Sequence, residues 1–236
     1  EYTSAYNADD PKIKLKIDHT YRVAALCERI AKAAGMCAYD VELAWLSGML
    51  HDVGRFEQIK RYNTFSDADS VDHAKFGADL LFKDGLISTF LNGMVKCAGY
   101  KLGALEDRYS SDGVFLYDRL NKSDMEMLEL AIRCHNMYRI PQGLNSREQA
   151  FCNVLRDADK VDIFKVNIDT PLEEIYNTTT EELMKSDITD EVLEAFDEEH
   201  CILKAIRRTP ADTVIGHVSL AYELVYDESV RITVEQ

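Results

Sequence analysis

The run Gly48-Met49-Leu50-His51-Asp52-Val53-Gly54-Arg55 decides the reading of this chain. It closes an apolar, helix-periodic segment on an imidazole and a carboxylate standing side by side. Such a pair can reach one or two cations, with more distant ligands completing the shell. Candidates for that shell lie along the chain: His19 upstream, and His73, His135 and Asp159 downstream. Each falls on or beside the apolar stripe of a predicted helix, where a charged or imidazole side chain needs a partner. The pattern is that of a metal site at the centre of a helical bundle.

Outward from this run the periodicity stays helical. From about Lys16 to Lys32, residues His19, Val23, Leu26 and Ile30 share one face, and Gly35 is the expected stop. A second helix opens at Asp40 and carries Val41, Ala44, Trp45, Gly48 and Met49. It places His51-Asp52 on its last turn, with Gly54 closing it. Ser70 is the expected N-cap of a third helix, with His73, Phe76, Gly77, Leu80 and Leu81 on one face. Residues 86–96 read as another helix. The stretch 99–122 is the least periodic of the first half and reads as a candidate lid, its aromatics as pocket or core residues alike.

Ser123 with Glu126, and Ser146 with Gln149, match the capping-box spacing. The first precedes the face that carries Leu128, Ala131, Ile132 and His135; the second precedes Phe151, Val154, Leu155, Ala158 and Asp159. The acidic segment from Asp169 to Asp190 is irregular at first, and a helix follows over Glu191–Arg207. Thr209-Pro210 starts the last one, since proline suits a first helical turn. Strand-like alternation is scarce and no internal repeat is found. The expectation is an all-α, single-domain helical bundle over residues 1–236, with its motifs within 16–166 and additional C-terminal helices over 167–236 packing on that core.

Composition narrows the function. At 236 residues and 46% apolar content the chain can build a sizeable core. A net charge of -15 argues against a nucleic-acid polymer or an anionic membrane as partner, both of which call for a basic surface. A small anionic substrate stays open, because metals and a few cations in a pocket override the global field. No membrane-length apolar run is present. Nothing ahead of Lys12 reads as a signal peptide, and the start at Glu1 is read as a trimmed natural start. The six cysteines lack a C-x-x-C spacing, so reduced thiols and a cytoplasmic location are expected.

Taken alone, a histidine on an apolar helix face is a hydrogen-bonded core residue, and His200 and His217 are read that way. His19, His51, His73 and His135 differ, because they coincide with Asp52 and Asp159, which also need compensation. A divalent cation compensates all six. Imidazole and carboxylate ligands suit Mn, Fe, Zn, Ni or Co, with Mg as a further option.

At these residues the sequence resembles the HD-domain superfamily of metal-dependent phosphohydrolases, whose hallmark is His…His-Asp…Asp. The resemblance lies in Asp18-His19-Thr20-Tyr21-Arg22-Val23, in the run around His51-Asp52, and in Arg156-Asp157-Ala158-Asp159-Lys160-Val161-Asp162. It spans roughly residues 16–166. Asp72-His73-Ala74-Lys75-Phe76-Gly77 and Ala131-Ile132-Arg133-Cys134-His135-Asn136 resemble the extra ligand motifs of members that bind two metals. The resemblance implies one metal on His19, His51, Asp52 and Asp159, and a second on His73, His135 and the other oxygen of Asp52. It also implies a metal-activated hydroxide and a small phosphate ester, a nucleotide first among them, as substrate. Members that cleave cyclic dinucleotides carry a second His where Asn136 stands, together with a Gly-Tyr-Pro segment absent here, so that substrate is not expected.

Arg55 and Lys160 are the candidates to steady a phosphoryl oxygen, with Arg22 and Asp162 as further substrate contacts. The same ligand types serve HD-type di-iron oxygenases similar to myo-inositol oxygenase, which is the competing activity. A non-catalytic sensor domain is the third reading, disfavoured because no ligand is missing. The C-terminal third is left a wall of the pocket or a homodimer contact as its role.

Overall fold

The computed structural model describes residues 2–7, 9–97, 120–176 and 178–236; among them there is no strand. They divide into two compact units, residues 1–155 and 156–236, with the boundary inside one long helix. No helix among the described residues is long and apolar enough to cross a membrane. Cys27, Cys37, Cys134, Cys152 and Cys201 are free thiols.

In the first unit, α1 (Pro11–Ala33) starts ahead of its apolar stripe. Asp10 caps it by accepting from the Lys12 amide at 2.8 Å, and proline fills a first-turn position whose N–H would have no partner. Its stripe buries Val23, Ala24, Cys27 and Ile30, and α2 (Ala38–Leu50) packs on it. Gly48 makes that packing close: a Cβ there would lie 2.7 Å from the Cα of Ala24.

The doublet is placed differently from the sequence expectation. His51 follows the end of α2, and Asp52 is the N-cap of a further helix, α3 (Val53–Tyr62). Gly54 therefore does not close a helix. It sits in the first turn of α3, where the backbone of α4 (His73–Ala78) comes within contact. A Cβ on Gly54 would lie 2.3 Å from the carbonyl oxygen of His73 and 2.7 Å from the amide of Gly77. Glycine marks a close approach here, not a stop.

Ser70 is likewise not the cap of α4. Asp72 caps it, accepting from the Lys75 amide, while the Ser70 hydroxyl donates to the carbonyl of Ser66. The helix runs on into a π-helical turn over Asp79–Lys83, and α5 (Leu86–Cys97) follows. Most of the candidate lid, residues 99–119, lies outside the described residues.

Both expected capping boxes shift toward the N-terminus. The cap of α6 (Lys122–Cys134) is Asn121 with Asp124. For α7 (Ser146–Asp169), Asn145 accepts from the amides of Arg147 and Glu148, and Glu148 accepts from the Asn145 amide. Asparagine caps as well as serine does, and in both cases it stands one or two residues earlier.

In the second unit, the segment read as irregular contains α8 (Leu172–Tyr176) and α9 (Thr180–Lys185), the latter opened by a Thr179–Glu182 capping box. The helix expected over 191–207 is shorter: α10 is Asp190–Asp197. Glu198 and Glu199 add negative charge at the negative end of the helix dipole, and Glu199 turns left-handed with φ 56°. Thr209 and Pro210 do open a helix, α11 (Pro210–Val218), but it is not the last. α12 (Asp227–Glu235) follows, and the buried Asp157 carboxylate accepts from the amides of Val225 and Tyr226 ahead of it.

His217 on α11 holds its Nδ1 within hydrogen-bond distance, 3.0 Å, of the Tyr176 hydroxyl. Burial, with Arg207 and Lys204 adding to it, pushes its pKa down to about 4. The unfolded chain therefore takes up this proton below the usual imidazole pKa of roughly 6.5, and the folded protein takes it up only near 4. Stability should fall as pH drops through that window. Thermal melts of His217→Gln are expected to show a shallower loss over the same range than the parent protein.

Candidate metal centre

Helix termination positions most of the candidate ligands. His51 and His135 each stand just past the last turn of a helix, α2 and α6. There each ring turns Nδ1 onto a carbonyl three residues back, Gly48 for His51 and Ile132 for His135, both at 2.7 Å. Carbonyls in a last turn have no intrahelical partner, so the contact satisfies both groups. A carbonyl only accepts, so the proton is on Nδ1 and Nε2 keeps its lone pair. His73, the first residue of α4, holds Nδ1 against both oxygens of Asp67, at 2.9 and 2.7 Å.

His19 comes from within α1, on the buried face with Val23. Asp52 occupies an N-cap position, yet its carboxylate makes no cap hydrogen bond. It points instead to the imidazoles. Oδ2 lies 3.4 Å from His19 Nε2 and 3.5 Å from His51 Nε2. Oδ1 lies 3.5 Å from His73 Nε2 and 3.8 Å from His135 Nε2. His19, His51, His73, His135 and Asp52 are all buried.

The two imidazole pairs are close: 3.2 Å between the Nε2 atoms of His19 and His51, and 3.0 Å between those of His73 and His135. For His73 and His135 both Nδ1 atoms are donors, so two lone pairs face each other across that gap. Burial, the largest influence on His73, takes its pKa to about 4 against the pull of Asp67, so the ring is neutral near pH 7. Opposed lone pairs repel unless a cation lies among them. Donor atoms 3–4 Å apart suit a cation bound at roughly 2.0–2.2 Å from each. His19, His51 and Asp52 form one group able to hold a metal ion, and Asp52, His73 and His135 form another.

Two further groups bear on this centre, and sequence reasoning missed them both. Lys16 donates to Asp52 Oδ2 at 2.6 Å. Burial alone would raise the Asp52 pKa, but Lys16, His51, His19 and His73 together hold it well below the usual carboxylate range. Lys16 precedes His19 by three residues on the same helix, and that i, i+3 spacing was the available signal. Asp67 comes from the connection between α3 and α4, and nothing local marks it.

Asp67, Asp72 and His73 also lie within mutual ligand distance. That cluster is already satisfied by hydrogen bonds. Asp72 accepts from the Lys75 amide and from Asn136, and pairs with the Lys75 ammonium.

The expected phosphate-binding residues divide. Arg55 reaches the centre: its Nη1 donates to Asp67, Gln58 and the Phe65 carbonyl. Its Nε is buried with no hydrogen-bond partner among the described residues, 3.8 Å from Asp52 Oδ1. Arg22, half-buried, lies one turn past His19 on α1. Asp159, Lys160 and Asp162 belong to residues 156–236; Asp159 is half-buried, and the other two are buried. Burial pushes the Lys160 pKa down, Arg156 adds to the effect, and its ammonium lies 3.5 Å from the Glu223 carbonyl. His200 pairs with Glu198 at 2.7 Å, as an ordinary polar residue would.

A family model, the HD domain, matches residues 17–165. Comparison with curated proteins and with solved structures gave no match.

Proposed function

The chain belongs to the HD-domain family, and from that premise we propose that it is a metal-dependent phosphohydrolase with a binuclear centre, acting on a small phosphate ester. Nucleotides are the first substrate class to test. The observation that carries the reading is the division of Asp52, with one carboxylate oxygen facing His19 and His51 and the other facing His73 and His135. A carboxylate so placed would offer one ligand oxygen to each of two cations. Asp159 is the proposed further ligand of the first. Mn, Fe, Zn, Ni and Co fit the donor set better than Mg does, since four of the five clustered donors are imidazoles.

Two divalent cations, when bound, bring the pKa of a water toward neutrality and offset charge on the phosphoryl oxygens. The protein's own groups do the rest. Asp67 and the Gly48 and Ile132 carbonyls hold His73, His51 and His135 with Nε2 directed at the centre. Arg55, anchored through Nη1, keeps its Nε–H for a substrate oxygen, where a fixed donor assists developing charge. Lys16 places a second positive charge beside Asp52. Arg22, Lys160 and Asp162 are proposed substrate contacts.

The test is phosphate release from a panel of nucleotides and simple phosphate esters by protein reconstituted with Mn or Fe. Turnover on any member is the expected result. Two bound metals with no release across the panel would overturn the hydrolase reading, and oxygen uptake by the iron-loaded protein would then test the oxygenase one.

A further inference from the structure

The two halves of the centre are secured by different means. His51 and His135 are tied to main-chain carbonyls that their helix ends supply. His73 is tied to a side chain, Asp67, from the connection between α3 and α4. That carboxylate is itself gripped from other directions. Its Oδ1 accepts from Arg55 at 2.9 Å and from the fully buried Gln58 at 3.0 Å, and its Oδ2 accepts from Asn136 at 3.3 Å. Gln58 is held in turn, donating to the Ser70 hydroxyl and the Val71 carbonyl.

We infer that Asp67 is the positioning residue that sets occupancy of the second metal position, the one on His73 and His135, and leaves the first unaffected. The inference rests on the binuclear reading above. Its logic is the tautomer of His73. An acceptor at Nδ1 keeps the proton there and leaves Nε2 free to bind a cation, and a carboxylate also makes the ring a stronger ligand than a carbonyl would.

In Asp67→Asn, the amide oxygen is retained where Arg55 and Gln58 donate. That places the amide NH2 at the Oδ2 position, 2.7 Å from His73 Nδ1. The retained oxygen, 2.9 Å from Nδ1, is already shared with Arg55 and Gln58, so the nearer NH2 competes at Nδ1 and favours the tautomer with its proton on Nε2, which cannot coordinate. His19 and His51 have no contact with Asp67 in this network, so the first position keeps its ligands.

The experiment is a Mn(II) titration followed by calorimetry and by electron paramagnetic resonance. The parent protein should take up two equivalents and show a spin-coupled pair. Asp67→Asn should bind the first equivalent as the parent does and the second about 10–100-fold more weakly, giving the spectrum of isolated Mn(II). Asp67→Glu, which restores an anionic acceptor, should recover much of the second uptake and guards against a failure of Asp67→Asn to fold. Asp72→Asn, a neighbouring change that preserves the cap of α4, should leave both equivalents intact.

Equal second-site affinity in Asp67→Asn and the parent overturns the inference, as does equal weakening of both equivalents. Uptake of fewer than two equivalents by the parent protein overturns the binuclear reading itself, and this inference with it.

Discussion

Phosphate release by the metal-reconstituted protein is expected to fall by more than about 10³-fold in Asp52→Ala, beyond the roughly 10–100-fold typical of losing an outer partner of a metal ligand. The size of the effect follows from the position of one carboxylate. Both of its oxygens face imidazole pairs, so on the proposed reading the substitution would remove a ligand from each position at once. Metal analysis of the purified variant should show both equivalents reduced, while far-UV circular dichroism shows the helices retained. A variant that keeps both metals and its turnover would end the bridging assignment. The comparison with Asp67→Asn is informative, because there only the second equivalent should be weakened.

Gly54→Ala is expected to be the most damaging single substitution outside the ligands. The added methyl would meet the His73 carbonyl at 2.3 Å and the Gly77 amide at 2.7 Å, both main-chain atoms that cannot rotate aside. Helices α3 and α4 must separate, at a cost at the upper end of the usual overpacking penalty, about 3 kcal/mol. For a chain of this size that lowers the melting temperature by roughly 6–12 °C. The displacement acts on His73 and so moves one face of the centre away from Asp52. Scanning calorimetry measures the first effect and the Mn(II) titration the second. An unchanged melting temperature would show that the two helices do not touch as described.

The sequence was informative where a side chain and its periodicity coincide. His19 lies on a stripe with Val23 and Ile30 that does bury, so its inward orientation could be read directly. The all-helical class followed from the same periodicity. Reading failed at the joints. The apolar pattern runs through His51-Asp52 without a break, so the doublet reads as the last turn of α2 with no α3 after it, and a glycine needed for contact with a distant segment looks like a terminator. Capping boxes were matched on serine, whereas the chain uses Asn121 and Asn145, which offer a side-chain oxygen of equal quality. Lys16 and Asp67 escaped for another reason. Each acts on a residue brought near by folding, and neither residue type is unusual where it stands in the sequence.

The positions of the histidines at helix ends bear on how the centre comes into being. His73 and His135 are 62 residues apart, and His19 and His51 are 32 apart. Contacts of that separation carry a loop-closure cost that local helix formation does not, so they belong to the later stages of folding. No single helix, and no adjacent pair, assembles the donor set alone. A cation would therefore meet scattered single imidazoles in the newly made chain, a first ligand group once α1 and α2 have docked, and the second only once α4 and α6 have joined them. Uptake at the two proposed positions would then report on different stages: a chain arrested with α4 or α6 detached would keep the His19, His51 and Asp52 group and lack only the second.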